Sequence, residues 1–104
     1  MERWKIDMLD EVARWRAGLW IPHKAKVDAV IDRLGEKGEH LEFPYQSQLD
    51  GKLRELRIQF GREKDRVSYY PAKRRRMVLL TVFRKQQRRE QAEIERAKLA
   101  MAAH

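Results

Sequence analysis

Alternation of apolar and polar residues predicts three strands in the second half of the chain. In "LRELRIQF", residues 53–60, apolar side chains alternate with charged or amide side chains, as they do on the two faces of a strand. The segment "RVSYY", residues 66–70, alternates in the same way, and "MVLLTVF", residues 77–83, is apolar on both faces, as in a central strand. The short connections predict an antiparallel meander, because parallel neighbours need a long crossover.

Helical periodicity predicts three helices around these strands. The strongest lies in residues 20–38, which begin near Pro22 and carry an i, i+3, i+4, i+7 stripe of Val27, Val30, Ile31 and Leu34. A shorter helix is predicted in residues 10–19, with Asp10 as its N-cap. The alanine-rich residues 89–104 predict a C-terminal helix.

The remaining segments complete a prediction of fold class. "WKIDML", residues 4–9, predicts a strand, and residues 39–52 predict a loop with a turn at Asp50–Gly51. The chain is therefore predicted to be one α+β domain over residues 1–104. Its small antiparallel sheet, mixed at the N-terminal strand, is flanked by N-terminal helices and a C-terminal helix. The tryptophans Trp4, Trp15 and Trp20 are predicted to anchor the core.

Positive charge is concentrated in one part of the chain. The 104 residues carry a formal net charge of +8, and residues 52–89 hold 14 Lys/Arg and 3 Asp/Glu, a balance of +11. Residues 1–51 and 90–104 are slightly acidic. Because the basic block lies on predicted strands and not in a tail, it favours binding of a polyanion. A solvated basic surface is the alternative.

The predicted register places four charged residues on one open face of the sheet. If Leu56, Ile58 and Phe60 pack under the helices, the opposite face carries Glu55, Arg57, Arg66 and Lys85. Adjacent strands lie about 4.8 Å apart, so these side chains can reach a single phosphate. The alternative is a set of surface salt bridges, each worth about 0–1 kcal/mol.

Other residues could contact a nucleic acid, but each could equally be a solvated turn residue or a core residue. Arg74, Arg75 and Arg76 form a run at a predicted hairpin tip, where they could follow a phosphate backbone or simply be solvated. One of Tyr69 and Tyr70 is predicted to be in the core, and the other could stack on a base.

Several classes of protein and site are disfavoured. The chain has no cysteine, which is compatible with a reducing cytosol, and no apolar run long enough to span a bilayer. The N-terminus lacks an apolar signal core, so we expect a cytoplasmic protein without membrane association. No P-loop, G-x-G-x-x-G, G-x-S-x-G or HExxH motif occurs, and the three histidines lack ligand spacing, so no cofactor or metal is expected. RNA transesterification fits these limits, because RNA supplies its own 2′-OH nucleophile.

Four sequence features in order resemble the RelE/HigB-type toxins of bacterial type II toxin–antitoxin systems, most closely the HigB-like, phage-derived branch. They are "GKLRELR" at residues 51–57, an arginine opening the next strand at Arg66, "LLTVFRK" at residues 79–85, and a closing E-x-x-x-A at residues 93–97. The resemblance covers about residues 30–103. It implies a RelE-like fold and an endoribonuclease that cuts mRNA in the ribosomal A site, leaving a 2′,3′-cyclic phosphate.

The resemblance also implies roles for residues and partners. Arg57 and Arg66 would hold the scissile phosphate, Lys85 would supply a positive group near the attacking or leaving oxygen, and Glu55 is the candidate general base. The implied partners are mRNA, the ribosome with its 16S rRNA, and an antitoxin of the helix-turn-helix Xre type. Many relatives have a late histidine or tyrosine for proton transfer, but "FRKQQRRE" has neither. The candidate RNA-binding residues are Arg54, Tyr70, Arg74, Arg75, Arg76, Arg84 and Arg88.

Two other functions remain open on the same scaffold. A ParE-like toxin would inhibit DNA gyrase through protein contacts and would not need a phosphate-binding cluster. A non-catalytic module would bind nucleic acid with strong salt dependence and leave it uncut.

Overall fold

The computed structural model describes residues 2–85 and 90–104. In chain order its elements are β1 (Lys5–Met8), α1 (Asp10–Ala17), α2 (Ile21–Lys37), a 3₁₀ turn (Gly38–His40), β2 (Gln46–Asp50), β3 (Leu53–Phe60), β4 (Glu63–Ala72), β5 (Arg76–Arg84) and α3 (Glu90–Ala103). The predicted α+β class is confirmed, with helices before and after the main strands. None of the helices in this part of the chain is long and apolar enough to cross a membrane.

The five strands form one mixed sheet in the order β1-β5-β4-β3-β2. The three predicted strands make the antiparallel meander β3-β4-β5, and β1 runs parallel to β5, so the mixed N-terminal edge is also confirmed. The prediction of a loop over residues 39–52 was wrong for β2, which pairs with β3 across the Asp50–Gly51 turn. The sequence "QSQLD" has one apolar residue, Leu49, so it carries too little alternation to predict a strand.

Helices pack against both faces of the sheet. On one face α1 and α2 cover the larger core, which includes Val12, Val27, Leu34 and Leu56. On the other face α3 covers a smaller cluster of Leu53, Val78, Leu80 and Ala97. The pairing register of β4 and β5 shifts between Ser68 and Tyr69, where β5 has Leu80 as an extra residue. Leu80 and Thr81 therefore both lie on the sheet face that α3 covers.

Two local predictions differ from the structure. Asp10 is the first residue of α1 and not its N-cap, which is Leu9. Trp4 and Trp15 pack against the core as predicted, but Trp20 is 58% exposed and stacks on His23. Trp20 precedes α2 and lies outside its apolar stripe, so its size alone was a poor guide to burial.

A pair of charged side chains joins α1, β5 and α3. Pairing between β1 and β5 ends at Met8 and Leu79, which leaves the backbone of Val82 without a strand partner on that side. Glu11 accepts a hydrogen bond from the Val82 N–H (2.7 Å), and Arg96 donates one to the Val82 carbonyl (2.9 Å). Glu11 and Arg96 also pair with each other. These contacts replace the missing strand and hold α3 at the end of the sheet where Val82 lies.

We expect Glu11→Gln to weaken the fold in a pH-dependent way. Burial opposes ionisation of Glu11, but hydrogen bonds from Arg96 and Val82 outweigh it, so the pKa lies below the ordinary 4.5. A lowered carboxyl pKa stabilises the folded state above the unfolded pKa, and this stability is lost as pH falls through the folded pKa. The variant should lose about 1 kcal/mol of unfolding free energy near neutral pH, and this difference from the unsubstituted protein should shrink below pH 4.5.

Urea denaturation over a pH series measures this effect, and Glu36→Gln, which removes an exposed carboxylate from a long ion pair with Arg3, is the matched control. A loss that is the same at every pH would mean that Glu11 acts through packing and not through its charge.

Candidate functional site

The register of the meander brings three of the four predicted catalytic residues together. Glu55 lies opposite Ser68, and Arg57 lies opposite Arg66 in the next row of the same sheet face. Directly opposed residues of an antiparallel pair share a face, so Glu55, Arg57 and Arg66 lie together as predicted. The prediction that this face is open was wrong for Glu55 and Arg66, which are buried. We refer to these three residues as the arginine–carboxylate cluster.

Contacts inside the cluster converge on one carboxylate oxygen. Glu55 Oε2 lies 3.4 Å from Arg66 Nε and 3.9 Å from Arg57 Nη1, and it accepts a hydrogen bond from Ser47 Oγ at 2.8 Å. Arg66 Nη1 donates to the Asp65 carbonyl at 3.1 Å. Glu55 therefore holds both guanidinium groups on one side of the sheet, and β2 contributes to the site through Ser47.

The members of the cluster differ in burial. Glu55 is 4% exposed and Arg66 3% exposed, whereas the side chain of Arg57 is 26% exposed. Burial lowers the pKa of Arg66 from its ordinary value, the charge of Arg57 lowers it further, and Glu55 acts in the opposite direction. Arg57 is consequently the member that a ligand reaches first.

Two buried polar atoms of the cluster have no hydrogen-bond partner among the described residues. They are Glu55 Oε1 and Arg66 Nε, although the latter lies within ion-pair distance of Glu55. Buried polar groups are nearly always hydrogen-bonded, and an unmade bond costs about 1–3 kcal/mol. Such atoms mark a place where a bound group can complete the network.

Lys85 lies near the cluster but does not contact it. It follows β5, where its N–H donates to the Lys64 carbonyl at 2.9 Å, and its side chain is exposed. Within residues 2–85 and 90–104 no ion pair to Lys85 is formed. Alternation from Phe83, which lies opposite Arg66, places Lys85 on the side of the cluster, as predicted.

Two of the predicted RNA-binding arginines lie on the other face of the sheet. Arg54 is opposite Tyr69 and lies 3.7 Å from Glu39. Burial raises the pKa of Tyr69 to about 12, with Arg54 acting in the opposite direction. Arg84 pairs with Glu63 and Asp65 at 3.2 and 3.5 Å. Both arginines are held by carboxylates, and neither joins the cluster.

The three consecutive arginines Arg74, Arg75 and Arg76 at the β4–β5 hairpin tip form a separate basic surface. Arg74 and Arg75 have positive φ angles in the turn, Arg75 lies over the Trp4 ring, and Arg76 pairs with Asp7 at 3.4 Å. Tyr70 hydrogen-bonds His104 at 3.0 Å near this end of the sheet. β5 begins at the run and reaches the cluster near its other end, so the two surfaces are roughly 20 Å apart. Arg88 lies outside the described residues.

The loop between the 3₁₀ turn and β2 contributes a feature that the sequence prediction missed. The Arg57 N–H donates to the Tyr45 carbonyl at 2.8 Å, which fixes this loop beside the cluster. A cavity of about 290 Å³ opens there, at the edge of β3 that β2 leaves uncovered. Its lining residues are Lys26, Val30, Pro44, Tyr45, Arg57, Ile58, Gln59, Lys64 and Arg66. The available signal was "EFPY", two aromatic residues in an otherwise polar loop.

Comparisons with known proteins agree with this architecture. The model of a family described as phage-derived Gp49-like proteins matches residues 14–102. A double arginine-to-alanine mutant of the E. coli toxin RelE in the free state superposes with a TM-score of 0.62 at 12% identity, covering 92% of this chain and 98% of that one. A chain of the archaeal RelE–RelB complex from Pyrococcus horikoshii superposes with a TM-score of 0.60 at 16% identity, covering 82% of this chain and 98% of that one. No curated protein matches the sequence significantly. The fold is that of the RelE toxins.

We expect Glu55→Gln to destabilise the protein strongly. The substitution preserves the shape of the side chain but removes the carboxylate that lies within ion-pair distance of the buried Arg66 guanidinium. Removing one partner of a buried ion pair costs about 3 kcal/mol or more, whereas an exposed pair is worth about 1 kcal/mol at most. Urea denaturation measures the loss, with Glu63→Gln of the exposed Glu63–Arg84 pair as the control. Equal stability of the two variants would show that the cluster is not sensitive to the loss of its carboxylate.

Proposed function

Because the chain belongs to the phage-derived Gp49-like protein family and has the fold of the RelE toxins, we propose that it is the toxin of a type II toxin–antitoxin system. We further propose that this one-domain protein acts in the cytoplasm as a metal-independent endoribonuclease that cuts mRNA in the ribosomal A site. The observation that carries the proposal is the arginine–carboxylate cluster, which holds two guanidinium groups beside a basic cavity.

Phosphate binding is assigned first to Arg57. A guanidinium group presents two parallel N–H donors to the oxygens of a phosphate, and the Arg57 side chain is the accessible one in the cluster. Arg66, buried behind it, adds a fixed positive charge in a poorly solvated place, where charge stabilises a transition state most effectively. Glu55 sets the position of both groups.

The proposed reaction is a transesterification. The 2′-oxygen attacks phosphorus, the bond from phosphorus to the 5′-oxygen breaks, and the products are a 2′,3′-cyclic phosphate and a free 5′-hydroxyl. A base takes the 2′ proton, and an acid returns one to the 5′-oxygen. Glu55 Oε1, which has no hydrogen-bond partner among the described residues, is the proposed acceptor, reached when Arg57 moves onto the phosphate. Lys85 is proposed to stabilise charge on the attacking or leaving oxygen.

The proposed partners follow from the proposed activity as a ribosome-dependent endoribonuclease. The substrate is mRNA on the ribosome, where 16S rRNA would surround the site. An antitoxin of the helix-turn-helix Xre type is proposed to restrain the protein, in keeping with the resemblance to HigB-type toxins. The archaeal structure that superposes on this chain is a RelE–RelB complex, which supports an antitoxin partner.

We expect Arg57→Ala and Lys85→Ala to abolish growth arrest and to slow mRNA cleavage about 10²–10³-fold, the usual effect of removing one group that stabilises transition-state charge. Primer extension on mRNA from programmed ribosomes measures the cleavage. Both side chains reach solvent, so the substitutions should preserve the fold better than Arg66→Ala, which empties a buried position. The matched controls are Arg14→Ala on α1 and Lys73→Ala at the hairpin tip, both exposed and away from the cluster.

Other outcomes would select the alternative functions. Growth arrest with intact mRNA and damaged DNA would indicate a ParE-like gyrase inhibitor. RNA binding without cleavage, even on programmed ribosomes, would indicate a non-catalytic module. Toxicity that survives both substitutions would reject the assignment of the site.

A further inference from the structure

Two guanidinium–aromatic contacts flank the cluster on the loop that precedes β2. The guanidinium carbon of Arg57 lies 4.9 Å from the centroid of the Phe43 ring, and that of Arg33 lies 4.3 Å from the Tyr45 ring. Phe43 is 70% exposed, so Arg57 packs on the ring and leaves much of it open to solvent. An exposed phenylalanine beside the most accessible arginine of the site is not explained by packing of the core.

The surroundings of Phe43 are basic and concave. A cavity of about 400 Å³ borders it, lined by Arg33, Lys37, His40, Leu41, Glu42, Phe43 and Tyr45. Tyr45 also lines the cavity of about 290 Å³ that contains Arg57 and Arg66. The two cavities therefore meet at the loop, one on the side of the arginines and the other on the side of the exposed ring. Glu42 is the one carboxylate among these lining residues.

We propose that Phe43 is a nucleobase-stacking residue, which holds a base of a single-stranded RNA whose phosphate is bound by Arg57. This inference rests on the proposed function and adds a binding site for the base to the proposed site for the phosphate. Each nucleotide carries a negatively charged phosphate and a flat base. The guanidinium of Arg57 can bind the phosphate while the adjacent ring of Phe43 stacks on the base.

The geometry favours a base over a protein side chain at this position. Lys26, Lys64 and Arg57 around the adjoining cavity favour a ligand that carries a negative charge beside its flat surface. The Arg57 N–H bond to the Tyr45 carbonyl keeps the loop beside the phosphate-binding residue, so the stacking surface is already in place before RNA binds.

Binding of two matched strands tests the proposal. The first is a 2′-O-methyl RNA of about ten nucleotides, which occupies the site without being cut, and the second is an abasic strand of equal length. We expect Phe43→Ala to weaken binding of the RNA about tenfold and to leave binding of the abasic strand unchanged. Phe43→Trp should restore RNA binding. The salt dependence should stay the same in the Phe43 variants and decrease in Arg57→Ala, which removes a phosphate contact.

Ile21→Ala, at an 80% exposed apolar residue of α2, is the control for loss of exposed apolar surface and should bind both strands normally. Equal weakening of both strands by Phe43→Ala would overturn the proposal, because Phe43 would then only position Arg57. Unchanged binding of RNA would also overturn it and would point to a protein partner on this face. If the unsubstituted protein binds RNA through Phe43 but leaves ribosome-bound mRNA intact, the proposed nuclease function fails while the stacking site stands.

Discussion

The buried ion pair between Glu55 and Arg66 is the interaction on which the rest of the site depends. Two opposite charges, each almost fully buried, lie on neighbouring strands of the sheet. Removing either charge from water is costly, so the pair is tolerated because each charge has the other beside it and a further hydrogen bond to Ser47 or to the Asp65 carbonyl. A shift of one residue between β3 and β4 would turn Glu55 and Arg66 to opposite faces. The ion pair and the apolar core therefore favour the same register.

That register also determines which charged side chain of the site is accessible to a ligand. It places Arg57 in the row next to Glu55 and opposite Arg66, and pairing with β2 ends just before Arg57. The uncovered edge of β3 then forms one wall of the basic cavity. On the same sheet face α3 covers Leu53 and Val78, and the Glu11–Arg96 pair holds that helix to the Val82 backbone, in the part of β5 that borders the cluster. Apolar packing under α3 closes one part of the face, and of the three cluster residues Arg57 alone keeps a partly exposed side chain.

Residues in regular strands were the ones that could be placed from sequence. Alternation placed Glu55, Arg57 and Arg66 on one face because the pleat gives every second residue the same side. By the same rule Arg54 falls on the opposite face, where the structure has it beside Tyr69. Burial could not be derived from alternation, because it depends on how helices and loops pack over the sheet. The pattern presented Arg66 as part of an open face, whereas its side chain is almost fully buried.

Features outside the pattern could not be predicted for physical reasons. β2 is an edge strand with polar residues on both faces, so its existence depends on pairing with β3 and not on its own composition. The loop with Phe43 and Tyr45 has no period, and only the hydrogen bond from Arg57 to Tyr45 places it at the site. Trp20 has the composition of a core residue but lies just before α2, where no second layer covers it.

The net charge overstates the surface that is free to bind an anion. Arg54, Arg76 and Arg84 lie in the basic block, yet each pairs with a carboxylate, and the partners of Arg54 and Arg76 lie outside the block. Exposed pairs of this kind add little stability, but they reduce the local field that a phosphate would meet. The total charge still attracts a polyanion over distances up to roughly 8 Å at physiological salt. The total charge thus sets the long-range attraction of a polyanion. Direct contact with a phosphate depends on the few accessible cations at the edge of the sheet, and Arg57 is the first of them.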